Sequence, residues 1–343
     1  RLNLHLPNYK FLNFMRNALR KYCLLLSILL VLGCATQKAK YANEVKSIES
    51  RSDVPVHSFY LIGDAGKSPS DGMNNTLSLF KTELSKADKN STAIFLGDNI
   101  YPTGLPKKSA QPEAYKKAKH QLDAQLETLK NFKGKPIFIP GNHDWYSNGL
   151  EGLERQEKYI EKKLESKKVF YPRSGCPIEK INISDDIVIL AIDTEWFLTD
   201  WDKHPEINKD CEIKSREKFF EELEGLIKKN ASKTTLIALH HPMFSYGVHG
   251  GQFTAKQQLY PAKAKIPLPV LGSVASVLRK TGGVSIADMN NKHYRKLKGR
   301  LVTLAQYSEK VILVSGHEHS LQYIVENNTP QIVSGSGAKN GAT

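Results

Sequence analysis

A chain of 343 residues with 40% hydrophobic and 24% charged side chains can bury a substantial core, and this composition excludes both a disordered protein and a multi-span membrane protein. The formal charge of +14 is partly concentrated at the start: five basic residues (Arg1, Lys10, Arg16, Arg20, Lys21) and no acidic one precede Cys34, leaving 44 basic against 35 acidic residues. That remainder is spread over helical-looking stretches rather than gathered in one block, so no nucleic-acid partner is expected, although anionic substrates are favoured.

Residues Cys23 to Gly33 (CLLLSILLVLG) form a short apolar run behind Arg16, Arg20 and Lys21. This is the order of a secretory signal, and the run is too short to span a bilayer comfortably. Its exit, Val31-Leu32-Gly33-Cys34, resembles the processing box of bacterial lipoproteins. The resemblance implies removal of residues 1–33, lipidation of Cys34, and an exported protein held to the membrane by an N-terminal lipid anchor. Translation is expected to begin at Met15, with residues 1–14 as an upstream read-through. A buried apolar helix is the alternative for the run. Residues 34–53, polar and rich in Lys, Ser, Glu and Gln, suit a flexible tether, and one domain is expected over 54–343.

From Val54 onward, short β-branched runs alternate with longer amphipathic ones. The pattern predicts strands at 58–62, 92–96, 136–139, 187–192, 234–239 and 311–314, and helices at 72–87, 113–132, 152–166, 215–229 and 291–307. Such alternation predicts an α/β domain whose strand-end loops carry the chemistry. Cys176 and Cys211 remain once Cys23 and Cys34 are assigned to the signal and the lipid site; in an oxidising compartment they are expected as a disulfide, with two free thiols as the alternative. The Pro-, Lys- and Gly-rich stretch 255–283 is expected as an insert, either a lid over the active-site side or a plain surface loop. After Ser334-Gly335-Ser336-Gly337-Ala338 no terminal helix or polar tail follows, so the chain is expected to continue past Thr343.

Five polar blocks stand out, four of them immediately behind a predicted strand: Gly63-Asp64, Gly97-Asp98-Asn99-Ile100-Tyr101, Gly141-Asn142-His143-Asp144, His240-His241-Pro242 and Gly316-His317-Glu318-His319. Each alone is weak, since Gly-Asp is a common turn dipeptide. Together they place carboxylate, carboxamide and imidazole donors at one edge of a sheet. Two ions a few ångströms apart need a bridging anion, and Asp98 is the natural bridge; neutral imidazoles and a carboxamide complete the shells without repelling a phosphate.

In these blocks the sequence resembles the calcineurin-like metallophosphoesterase superfamily over about Val56 to Gly337. The resemblance implies a four-layer α-β-β-α sandwich of two mixed sheets flanked by helices. Tyr101, three residues after Asp98, and His249, nine after His240, are similar to the purple acid phosphatases of the tartrate-resistant type. Carried over, the resemblance gives the first metal Asp64, Asp98, Tyr101 and His319, and the second Asp98, Asn142, His240 and His317. It makes His143 and His249 the groups that serve the phosphoryl oxygens or the leaving group, with Asp144 as an orienter of the His143 imidazole and His241 either structural or functional. A phenolate is a hard donor, so iron(III) is expected beside iron, zinc or manganese(II).

The function so implied is hydrolysis of a phosphate ester, a phosphomonoester first, by in-line attack of metal-bound hydroxide. A phosphodiesterase or nucleotidase on the same scaffold is the alternative within enzymes. A lipid-anchored binding module with incidental turnover is the alternative outside them.

Overall fold

The computed structural model describes residues 55–261 and 264–341, together with Arg16, Asn17 and Lys21. Apart from those three, the signal, the Cys34 attachment point and the tether lie outside the described residues. The β-branched runs pair into two sheets. β1 (Ser58–Ile62), β2 (Ser91–Leu96) and β3 (Lys135–Ile139) form a three-stranded sheet in that order, parallel throughout. β4 (Ile178–Asn182), β5 (Ile187–Ile192), β6 (Thr234–Leu239), β7 (Val311–Ser315), β8 (Leu321–Glu326) and β9 (Thr329–Ser334) form a six-stranded mixed sheet in the order β4-β5-β6-β7-β9-β8. Its inner strands β5, β6, β7 and β9 run parallel, and β4 and β8 lie antiparallel at the edges.

Side-chain alternation stacks the two sheets. Ile94 and Leu96 of β2 and Ile137 and Ile139 of β3 share one buried cluster with Ile189, Ala191, Leu236, Ala238 and Val314 of the larger sheet. The intervening residues, Phe95, Phe138, Leu190, Ile192, Ile237 and Leu239 among them, turn to the opposite faces and join a second cluster with the helices. Strands buried on both faces read as continuous apolar runs, which is why the sequence exposes them clearly.

The covering helices are α1 (Asn75–Lys86), α2 (Pro112–Glu127), the one-turn α3 (Asn142–Trp145), α4 (Leu150–Leu164), α5 (Thr194–Leu198), α6 (Arg216–Lys229), α7 (Ala255–Leu259), α8 (Pro269–Thr281) and α9 (Lys292–Ala305). Their starts are set by side-chain caps: Asn74 accepts from Leu77 N, Asp193 from Trp196 N and Ser215 from Lys218 N. The four expected layers are therefore present. No helix of the described residues is long and apolar enough to cross a membrane.

The insert is helical rather than a plain loop. Pro269 sits in the first turn of α8, where its missing N–H costs nothing, and Gly272 lets α8 close onto α7, since a Cβ there would lie 1.7 Å from the Gln258 carbonyl oxygen. Cys176 and Cys211 are joined by a disulfide, with their Cα atoms 5.3 Å apart.

Candidate metal centre

Because the inner strands are parallel, their C-terminal ends lie along one edge of the sandwich, where the two sheets are stitched together. Gly63 N donates to Ser334 O at 2.7 Å, and His240 Nδ1, just after β6, reaches Leu96 O at the end of β2 at 2.7 Å. Asp64, Asp98 and His317 each follow a glycine and adopt positive φ angles of 59°, 53° and 65°. Non-glycine residues in this region cost of order 1–3 kcal/mol each, and such strain is found where a site requires it. The sharp turn brings each side chain back over the sheet end.

Two groups of donors result. In the first, the Tyr101 hydroxyl lies 2.8 Å from Asp64 Oδ1 and 3.2 Å from His319 Nε2, and His319 Nε2 is 3.3 Å from Asp64 Oδ1. In the second, Asn142 Oδ1 is 3.1 Å from both His240 Nε2 and His317 Nδ1, and His240 Nε2 lies 3.3 Å from Asp98 Oδ1. Ligand atoms of Asp64, Asp98 and His240 all fall within 4.8 Å of one another, which links the groups through Asp98. All seven metal-ligand residues expected from the sequence are thus brought together.

The donor chemistry asks for cations. His240 Nδ1 meets the Leu96 carbonyl at 2.7 Å and must donate there, so Nε2 is the ring atom that faces two oxygens; burial opposes a charge on this ring, but the Asp98 and Asp64 carboxylates raise its pKa, so a proton sits at Nε2 wherever a metal ion does not. Asn142 is oriented by its Nδ2 donating to the Tyr146 hydroxyl at 2.7 Å, which aims Oδ1 inward. Lone pair faces lone pair, and only a proton or a metal ion between them relieves the contact. Burial, with His249, His241 and His240 around it, holds the His317 imidazole well below its ordinary pKa, in the neutral form that ligates a metal. Burial and the Asp64 and Asp98 carboxylates push the Tyr101 phenol far above its ordinary range, so a strong local cation is needed to ionise it.

Around this centre, His143 donates its backbone N–H to Asp98 Oδ1 at 2.9 Å, and its Nδ1 meets the Pro102 carbonyl at 2.5 Å. Its Nε2, 3.9 Å from Asp98 Oδ2, faces the centre. The Asp144 carboxylate does not orient that ring. It accepts instead from the backbone of Gly141, Asn99 and Ile100 at 2.8, 3.2 and 3.1 Å, so it ties the loop after β2 to the loop after β3. His249 packs its ring 4.1 Å from that of His317, and its Nδ1 is buried without a hydrogen-bond partner among the described residues. His241 is fully buried, its Nδ1 2.7 Å from Thr194 Oγ1 and its ring 4.3 Å from that of His317.

Sequence reasoning passed over three contributors. Glu318 lies between two ligands and accepts from Ser245 Oγ at 2.8 Å and His249 N at 3.0 Å. Tyr146 sets the Asn142 amide. Asp193-Thr194-Glu195, at the end of β5, supplies the groups against His241 and Trp145: Trp145 Nε1 donates to Asp193 Oδ2 at 3.0 Å, and Glu195 Oε2 lies 3.7 Å from His241 Nε2. The signal was available, because this polar triplet follows a predicted strand just as the five blocks do.

Two sheets meeting at one edge, with carboxylate, imidazole and carboxamide donors gathered between them, define a candidate metal site. The family model for the calcineurin-like phosphoesterases matches residues 57–321, and the chain belongs to that family. The family is typically dependent on a pair of metal ions. No curated protein matches the chain. Among solved structures it is similar to GAP50, the anchor in the inner membrane complex of Plasmodium (14% identity, TM-score 0.41, covering 82% of this chain and 71% of that one). It is similar also to a protein assigned as a 5′-nucleotidase from Staphylococcus aureus (12%, 0.42, covering 83% and 52%) and to the phosphopantetheinyl hydrolase of Mycobacterium tuberculosis (11%, 0.36, covering 82% and 91%).

Proposed function

We propose that this metallophosphoesterase is a phosphomonoesterase of the purple acid phosphatase kind, exported and held to a membrane by lipid on Cys34. The observation that supports the branch is the Tyr101 hydroxyl, 2.8 Å from Asp64 and 3.2 Å from His319, which makes a phenolate available to the first ion. That ion is proposed as iron(III), with iron, zinc or manganese(II) held by Asp98, Asn142, His240 and His317. Two such ions, when bound, polarise the phosphoryl oxygens and supply a strong nucleophile from water at neutral or acid pH.

The chain's own residues do the rest. Asp98 holds the two halves of the site at fixed separation. His143, its ring fixed through Pro102, presents Nε2 to a phosphoryl oxygen, and His249 delivers a proton to the departing alkoxide. In the test, the full chain is loaded with iron and its visible spectrum recorded beside rates on p-nitrophenyl phosphate and bis(p-nitrophenyl) phosphate. The expected result is a pink to purple band, lost in Tyr101→Phe, and faster hydrolysis of the monoester. An iron-loaded protein without colour that prefers the diester overturns the reading in favour of a phosphodiesterase. Cys34→Ser is expected to release the chain from the membrane fraction.

A further inference from the structure

The α7–α8 hairpin carries an apolar face that the fold leaves uncovered. Val270, Leu271, Val274, Val277 and Leu278 of α8 are 74%, 60%, 52%, 55% and 54% exposed. Their spacing puts all five on one stripe, roughly a third of the helix circumference. The inner side of α8 is committed to the domain, through Gly272 against Gln258 and through the Arg279 guanidinium, which donates to the Asp288 carboxylate at 3.0 Å and stands over the Phe253 ring. The stripe therefore points away from the protein. Ile266, just before the helix, and Val284, just after it, extend the surface at 65% and 73% exposure.

Charge decides what covers it. Residues 255–283 contain five basic side chains and no acidic one. Lys265, next to Ile266, and Lys280, in the last turn of α8, are exposed, as is Lys256 on α7, and no carboxylate pairs with any of them among the described residues. A second copy of the chain would bring the same positive charge against itself. An apolar stripe rimmed by such lysines matches an anionic lipid surface, where the apolar residues enter the acyl boundary and the ammonium groups stay with the headgroups. At 13 residues α8 is about 20 Å long, too short to cross the ~30 Å of a bilayer core, so it would lie in the interface.

We propose that the outer face of α8 is a membrane-docking surface for anionic lipid, a second contact beside the N-terminal anchor. It rests on the proposed anchoring only for the domain's nearness to a bilayer. The segment that follows α8 runs on to Met289, whose N–H bonds the His249 carbonyl at 3.1 Å, so the docking hairpin is tied to the loop that carries His249.

The test places a tryptophan in the stripe. The full-length Val274→Trp variant is mixed with vesicles of phosphatidylglycerol and phosphatidylcholine that carry bromine on their acyl chains. Leu79→Trp, on exposed α1, sets the value for a tryptophan outside the hairpin. Quenching of the emission from position 274 by about twofold or more is expected, weaker in pure phosphatidylcholine and at high salt, with none from position 79. Flotation at high salt, where docking is screened, beside the Cys34→Ser variant reads the anchor separately. A chain that floats with position 274 unquenched overturns the docking and leaves the anchor standing. A chain that is quenched at position 274 and floats at low salt but is released at high salt, as Cys34→Ser is, supports docking and refutes the anchor. Absence of both refutes both, and a chain that is dimeric without vesicles, with the indole introduced by Val274→Trp already shielded, assigns the stripe to a second copy and overturns the proposal.

Discussion

Glu318 stands between His317 and His319, yet its carboxylate is spent on the opposite loop, where it receives the Ser245 hydroxyl and the His249 N–H. Gly247 permits this, because a Cβ there would collide with the Glu318 carboxylate at 2.1 Å. Glu318 is thus a positioning residue for His249 rather than a reacting group. Its loss should mimic the loss of His249 itself. In Glu318→Ala and His249→Ala alike, hydrolysis of alkyl phosphates is expected to fall by about 10–100-fold while p-nitrophenyl phosphate, which needs no acid, is little changed. Glu318→Gln keeps an acceptor oxygen and should recover most of the rate. Metal content measured on the same samples separates this role from ligand loss, and equal slowing of both esters would count against it. That these polar side chains gather at one edge was legible in the sequence because each block follows a predicted strand or its turn. The roles of Glu318 and Asp144 were not, because a carboxylate's partner depends on which loops the fold brings beside it.

At the scale of elements, the turns that leave β1, β2, β3, β6 and β7 carry the site, and their tolerance is set by sterics rather than by φ alone. Gly141 has an ordinary φ of −113°, but a Cβ at this position would lie 2.3 Å from Asp98 N and 2.4 Å from Asp98 Oδ1. Gly141→Ala must therefore push the bridging carboxylate aside. Metal affinity is expected to drop by about 10–100-fold, while the urea midpoint of the metal-free protein moves far less, since strand β3 keeps its buried contacts. Metal titration and urea unfolding of the same preparation check this, and a variant that binds metal like the parent would refute it. The same scale explains which elements the sequence revealed. Doubly buried strands such as β2 and β6 gave unbroken apolar runs. β4 (IEKIN) and β8 (LQYIVE) lie at sheet edges and interleave polar with apolar residues, and β8 leaves Leu321, Tyr323 and Val325 exposed, so neither reads as a buried apolar run. β9 (TPQIVS) contains a buried polar Gln331 that bonds Met243 N and Phe244 O, which no periodicity announces. In α8 the apolar residues recur at helical spacing, but Pro and Gly on either side read as loop, and the face they form is turned outward rather than to the core.

For the whole molecule, the concentration of buried acids at one edge couples folding to pH and to metal. Asp193 is completely shielded, and burial raises its carboxyl from 3.8 to about 7 despite hydrogen bonds from Trp196 N and Trp145 Nε1. In the unfolded chain the same group titrates near ~3.9. Between those two values the folded protein holds a proton that the unfolded chain has released, so stability falls as pH rises through this window and is fully present only below it. Asp64 acts in the opposite direction: burial alone would raise its carboxyl, but the His319 bond and the His240 charge hold it below the ordinary range. The informative quantity is therefore the difference between the parent and Asp193→Asn, not the slope of either. After removal of metal with a chelator, urea unfolding from pH ~4 to ~7 should show the parent losing more stability than the variant as pH rises. Added metal should then raise the stability of both by about 2.7 kcal/mol for each bound ion at a hundredfold excess over its Kd, because ions bind the folded edge and not the dispersed side chains. Parallel pH profiles for the two proteins would mean that Asp193 stays ionised in the folded state, stabilised by the donors from Trp145, Glu195 and Trp196 at the start of α5, and would move the source of the pH dependence to the metal ligands themselves.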